Sequence, residues 1–312
     1  MTLNILLQIF HSKGWHFFVE GNSAFNHLVH LWVTVMVCTA LLCFIVGELT
    51  HNYSQVDKLW SLMPIVYSLI TLFAFPASHR IWLMTILVLF WGLRLSYNFY
   101  RKGGYHVIPW KGEEDYRWNL IRQHPKLRKG IRITLFNLFF ISFYQHILIF
   151  LFSTPLLLAA KYSIVSMSDL DYLAASFMFF FIMMESIADN QLHIFQIQKR
   201  HIILPTGKYS KSLPDGFLSE GLWKHVRHPN FTAEQAIWVS FYFFGVAATG
   251  EWINWTLSGP VLLILLFMGS SEFTESISMQ KYPGYMNYKQ NVPKFIPFVF
   301  KTKKDEKQTI IE

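Results

Sequence analysis

The sequence predicts an all-α, polytopic membrane protein with about seven transmembrane helices, its N-terminus outside and its C-terminus cytoplasmic. Three observations carry that prediction. First, 53% of the 312 residues are hydrophobic and only 15% are charged, above the roughly 45–50% apolar share of soluble domains. Second, the chain contains seven apolar runs of about the length a bilayer requires. Third, 23 of its 27 Lys and Arg residues lie in loops that alternate with those runs on one side.

The runs are 28–46, 59–76, 81–99, 133–159, 169–192, 233–249 and 253–272. The fourth is too long for one straight span, so a kink at Pro155 or a tilt is expected. A very short turn, Gly250 to Ile253, makes the last two antiparallel neighbours. The opposite loops hold only Lys13, Arg80 and Lys161, and Arg94 sits inside the third run. This asymmetry sets the orientation by the positive-inside rule, and adding or removing one span would scramble it. Both an endoplasmic-reticulum and a bacterial inner membrane satisfy the rule. The domain reading is an interfacial segment over 1–27, a seven-helix domain over 28–300 and a disordered basic tail over 301–312. The start lacks the charged n-region and cleavage site of a signal peptide, and Trp15, Phe17 and Phe18 are expected at headgroup depth.

The formal net charge of +8 is distributed in loops, which fits membrane topology and phosphate-bearing ligands better than nucleic acid. Cys38 and Cys43 both lie in the first run, so neither a disulfide framework nor a metal site is expected. There is no Gly-x-Gly-x-x-Gly after a strand, no P-loop, no His-Glu-x-x-His and no Cys/His cluster with zinc spacing, which excludes a soluble-type dinucleotide domain. Oligomeric state is not legible.

Charges in hydrocarbon are costly and usually face a cavity or a partner. Glu185 and Asp189 are four apart and share a helix face; they suit the hydroxyls or amide of a ligand, or a structural ion pair. Arg94 is placed to snorkel, to pair with Glu185 or Asp189, or to clamp a phosphate. Asp57 opens the second run, where it reads either as a helix cap or as a proton donor at a cavity mouth. His225, Arg227 and His228 precede Pro229, Asn230 and the sixth run with its Glu234, a pattern suited to binding an anion. Thr232 with Gln235 also reads as a capping box. After the last run, Glu275, Tyr282, Tyr285 and Tyr288 form either an aromatic belt or a cover for an aromatic ring.

The run Gly221-Leu-Trp-Lys-His-Val-Arg227-His228-Pro229-Asn230-Phe231, with Glu234, resembles the steroid 5-alpha-reductase superfamily. It is most similar to the branch whose C-terminal domain takes that enzyme's name. Val56-Asp57…Trp60, Trp91-Gly-Leu-Arg94, Glu114-Asp-Tyr-Arg-Trp118, Glu185…Asp189…Gln191 and Tyr282-Pro-Gly-Tyr285 extend the resemblance over roughly residues 50–300. The resemblance implies a seven-helix membrane reductase. Such an enzyme binds NADPH in a cytoplasm-facing cavity and reduces a carbon–carbon double bond conjugated to a ketone. It implies cofactor contacts at Asn230, Asp189 and Glu185, and a helix-entry motif at Arg227, His228 and Glu234. The substrate is then lipidic and enters from the bilayer. The chain departs from the steroid enzymes' Glu–Tyr substrate pair, with Asp57 and Trp91 at those places, and Phe231 replaces a Tyr.

Isoprenylcysteine and phospholipid methyltransferases, which use S-adenosylmethionine, are equally similar in the C-terminal part. The matches around Asp57, Arg94 and Glu114 favour the reductase. A non-enzymatic lipid-binding member of the fold is a third reading.

Overall fold

The computed structural model describes residues 23–108, 110–124, 130–200 and 213–297. Most of the expected interfacial segment, including Trp15, Phe17 and Phe18, and the whole basic tail lie outside the described residues. Among the described residues every regular element is helical, as a bilayer demands of backbone that must satisfy its own hydrogen bonds.

The helices are α1 (Ser23–Thr50), α2 (Gln55–Trp60), α3 (Met63–Ala74), α4 (His79–Tyr100), α5 (Tyr116–Gln123) and α6 (Ile131–Phe136), followed by a π-helix over Asn137–Tyr144. Then come α7 (Gln145–Ser153), α8 (Pro155–Lys161), α9 (Asp169–Lys199), α10 (Pro229–Thr249), α11 (Ser258–Lys281) and α12 (Tyr285–Asn291). Six helical stretches among the described residues are long and apolar enough to cross a membrane: Ser23–Thr50, Gln55–Ala74, His79–Tyr100, Ile131–Ser153, Asp169–Lys199 and Trp255–Lys281. The protein is therefore an integral membrane protein.

The expected sixth span, 233–249, is the exception. It falls within α10, a helix of 21 residues, long enough to cross hydrocarbon at 1.5 Å per residue, yet outside that apolar set. Its Ile237, Trp238, Phe241 and Phe244 are fully buried. A helix covered by protein does not need a uniformly apolar surface.

Several boundaries move. α1 already includes Ser23, five residues before the expected start. The fourth run is broken twice, by the π-helix and again at Pro155, which takes the first position of α8. α10 starts at Pro229, so Thr232 sits inside its first turn. There its hydroxyl donates to the His228 and Phe295 carbonyls, both at 3.0 Å, instead of forming the capping box. Gly250, with φ +73°, ends α10, and α11 begins only at Ser258.

The chain divides into two compact units, one of Met1–Ile182 with Gln235–Leu265 and one of Met183–Glu234 with Leu266–Glu312. The first has an aromatic core in which Trp238 meets Trp91 at 4.8 Å and Phe152 at 4.1 Å between ring centroids. At the start of α4 it holds a fully buried ion pair: Arg80 donates to both carboxylate oxygens of Asp171 at 2.7 and 2.9 Å, and to the Val165 and Ser166 carbonyls. The second has a small core of Phe195, Leu218 and Trp223.

Candidate functional site

All the cofactor candidates except Arg94 fall in the second unit. Glu185 and Asp189, one turn apart on α9, are each 4% exposed, as is Glu234 in the first turns of α10. Asn230 Nδ2 donates to Asp189 Oδ1 at 3.2 Å, joining the two motifs that the sequence separates by about forty positions. Asn230 Oδ1 is buried without a hydrogen-bond partner.

The segment before α10 is fixed tightly. Gly221 has φ +59°, and a Cβ there would lie 2.6 Å from the Gln191 side chain, so only glycine fits. The Gln191 amide oxygen accepts from Leu222 N at 3.0 Å, and the Trp223 indole donates to the Ala188 carbonyl. This turn locks the Gly-Leu-Trp segment onto α9.

Arg227 and His228 are held rather than presented. Arg227 Nε donates to Glu275 Oε1 at 2.8 Å, and its Nη1 donates to the Lys289 and Val292 carbonyls. His228 Nε2 lies 2.9 Å from the same Glu275 oxygen, and Lys289 Nζ lies 3.2 Å from Oε2. Three basic groups share one fully buried carboxylate. The backbone N–H groups of Arg227 and His228 donate to the Pro293 and Lys294 carbonyls. These residues therefore fasten the α10 entry to the C-terminal segment.

Tyr282 and Tyr285 belong to an aromatic group around Phe217, with ring centroids 5.9, 5.1 and 5.2 Å from Phe217 to Tyr282, Tyr285 and Tyr288. Lys199, at the end of α9, donates to Tyr282 Oη at 2.6 Å. Burial alone would raise Tyr282; the Lys199 and Lys281 ammonium groups outweigh it and hold the phenol below its ordinary value. Burial pushes Tyr285 up to about 12, with the Glu275 charge adding to the effect. The sequence reading missed Lys199 and Phe217. Their signal was weak: a lysine at a helix end and one phenylalanine beyond it.

Asp57 and Arg94 belong to the first unit. Asp57 lies in the first turn of α2, where Ser54 occupies the cap position. Its Oδ2 accepts from the Trp118 indole at 2.8 Å. Around it the loop before α5 is docked through side chains: Tyr53 N donates to Glu114 Oε1 at 2.7 Å and Asp115 N donates to Ser54 Oγ at 2.9 Å. Asp115 caps α5 and is bidentate with Arg117. Burial acts to raise the Asp115 carboxyl, but the Arg117 hydrogen bonds and charge hold it below the usual carboxylate range. Arg94 is half-buried on α4. Trp91 is fully buried against Trp238. Among the described residues no His/Cys/Asp/Glu group could hold a metal ion.

A family model described as "Protein of unknown function (DUF1295)" matches residues 43–292. The chain belongs to the DUF1295 family. It is 38% identical over 275 residues to "Uncharacterized protein C594.04c" of Schizosaccharomyces pombe, across 82% of this chain and 78% of that relative. No solved structure matches. The part that matches the DUF1295 model runs from the second half of α1 to the end of α12 and includes every candidate residue from Asp57 to Tyr285.

Proposed function

We propose that this DUF1295 protein is a membrane-embedded, NADPH-dependent reductase of a lipidic substrate, acting on a carbon–carbon double bond conjugated to a carbonyl. The observation that carries the reading is Asn230, whose amide nitrogen is committed to Asp189 while its buried oxygen has no partner. Buried acceptors are normally satisfied, and this one suits the N–H of a carboxamide or the O–H of a ribose. The residues present therefore fit the polar half of a nicotinamide cofactor. That cofactor, when bound, would supply hydride.

The chain's own residues would bind and orient. Asp189 fixes the Asn230 amide, and Glu185 on the same face of α9 offers further acceptors. Lys199, which donates to Tyr282 Oη, gives the aromatic group a cationic edge for a phosphate. Arg227, His228 and Glu275 set the position of Asn230 by anchoring the entry to α10. Asp57, whose Oδ2 accepts from the Trp118 indole, is the candidate proton donor of this reading. The same reading places the C-terminus in the cytoplasm and the N-terminus outside, on the strength of the loop charges.

The test is thermal unfolding of detergent-purified protein with NADPH, NADH or S-adenosylmethionine. Stabilisation by NADPH is expected. Stabilisation by S-adenosylmethionine alone would replace the reductase with a lipid methyltransferase, and stabilisation by none would leave a lipid-binding member of the fold. Asn230→Ala and Asp189→Ala should each weaken apparent NADPH affinity at least about tenfold, the loss of one good polar contact. Asp57→Asn should keep cofactor binding and lose turnover; retained turnover would reduce Asp57 to an anchor for Trp118.

A further inference from the structure

A cavity of about 560 Å³ opens in the first unit between the turn from α3 into α4 and the loop from α8 into α9. Residues 74–80 form one wall and residues 163–167 the other. The volume lies within the roughly 300–1,000 Å³ of small-molecule sites. Beneath it, Arg80 holds the walls together: paired with Asp171, it also donates to the Val165 and Ser166 carbonyls at 3.2 and 2.9 Å.

The polar groups around this space are unequally spent. Several acceptors are already taken. Besides the two carbonyls that Arg80 occupies, Phe75 O accepts from Ser78 N at 3.3 Å and Pro76 O accepts from the Trp82 indole at 2.9 Å. No carboxylate lines the cavity. The donors are unspent. Ser78 holds the cap position of the 22-residue α4, yet its hydroxyl makes no cap bond, and the residue is only 5% exposed. Serine at that position normally spends its oxygen on the helix. The His79 and Arg80 backbone N–H groups, in the first turn of α4, have no backbone acceptor among the described residues, as expected of a helix start. Ser163, Ser166 and the exposed His79 also line the space.

Unspent donors, a positive helix end and no carboxylate call for a ligand that brings oxygen acceptors and negative charge. The cavity also lies beside strongly exposed apolar side chains, Phe73 at 81% and Ile164 at 94%. The Trp82 indole tied to Pro76 sits at the same helix end, a placement typical of headgroup depth. We propose that this cavity binds a phosphate group, carried by a membrane lipid or free in solution. The site uses none of the residues assigned to the cofactor and stands independently of the reductase reading.

The test is thermal unfolding of the full chain in an uncharged, phosphate-free detergent. The probes are dioctanoyl phosphatidic acid, dioctanoylglycerol and inorganic phosphate. Phosphatidic acid is expected to raise the midpoint in a saturable way, and the glyceride is not. Inorganic phosphate acting at the same concentration as the lipid would assign the site to the free ion; a response at least about tenfold weaker would assign it to the lipid headgroup. His79→Glu sets a carboxylate at an exposed helix start, where the dipole accommodates it. It should weaken phosphatidic acid binding at least about tenfold without lowering the ligand-free midpoint. Ser78→Ala, which removes one donor, should weaken it about tenfold. A diazirine-bearing phosphatidic acid should label peptides covering 74–82 or 163–167 in the unmodified chain, a readout that needs no variant to fold. No response to either phosphate compound, an equal response to the glyceride, full affinity in both variants, or labelling confined to other segments would each overturn the proposal.

Discussion

Two buried arginines, Arg80 in the first unit and Arg227 in the second, meet carboxylates at 2.7 and 2.8 Å, but their surroundings differ. Among the described residues Arg80 is the one cation that Asp171 answers, and its Oδ2 also takes Ser168 N and Oγ. Besides that carboxylate, Arg80 donates to the Val165, Ser166 and Ala247 carbonyls. Glu275 answers Arg227, His228 and Lys289 together. The first arrangement is closed, one cation to one anion with the fork filled. The second gathers a guanidinium, an ammonium and an imidazole on a single carboxylate. Similar ion pairs thus serve as a clamp in one unit and as a charged support for a candidate anion site in the other.

The sharpest way to break that contrast is Asp171→Ala, which leaves Arg80 buried and unpaired. Removing one member of a buried pair costs about 3–5 kcal/mol, so most of the folded yield should be lost, with the remainder unfolding at much lower temperature. Glu275→Gln keeps the shape and one acceptor, and the Lys289 side chain, 34% exposed, can turn to solvent. Its cost should be smaller, about 1–3 kcal/mol. If Glu275→Gln proved the more damaging in thermal unfolding, the division into clamp and support would fail.

A third pair, Asp115–Arg117, is 25% and 31% exposed and sharpens the scale from below. The Asp115 carboxyl is held below its ordinary value, so its stabilising contribution is present above the unfolded pKa near 3.9 and lost as pH falls through the lower folded value. Asp115→Asn should therefore lower the unfolding midpoint slightly at neutral pH. The gap from the unmodified protein should close in acid below that value. A gap that persisted there would show that the charge of Asp115 is not the source of the effect, since Asn keeps the oxygen that caps Arg117 N.

The spans were legible because hydrocarbon thickness leaves an apolar run of fixed length, as in α1 and α4. The α10 span blurs because protein covers it, so Glu234, Gln235 and Trp238 can stay in a membrane-length helix. In the second unit, Asn230 and Asp189 were legible as motif residues, and their contact follows. The Arg80–Asp171 clamp was not, because the partners are 91 positions apart and each alone resembles an ordinary loop charge. The contact of Lys199 with Tyr282, 83 positions away, was obscure for the same reason. Arg227 read as an open anion ligand because a sequence displays a guanidinium but not the carbonyls that occupy it.

The π-helix at Asn137–Tyr144 acts as an inserted tooth in the fourth span. On its near side Thr134 and Asn137 are tied to Glu48 at 2.9 and 2.8 Å; on its far side ride His146 and Phe150. A wide turn amounts to one surplus residue, and one residue is worth about 100° of azimuth. Winding that turn as plain α-helix at the same chain length would leave the Glu48 moorings in place and swing the imidazole and the phenyl ring off their common bearing. The angular phase of the whole outgoing half of that span therefore rests on one extra amino acid.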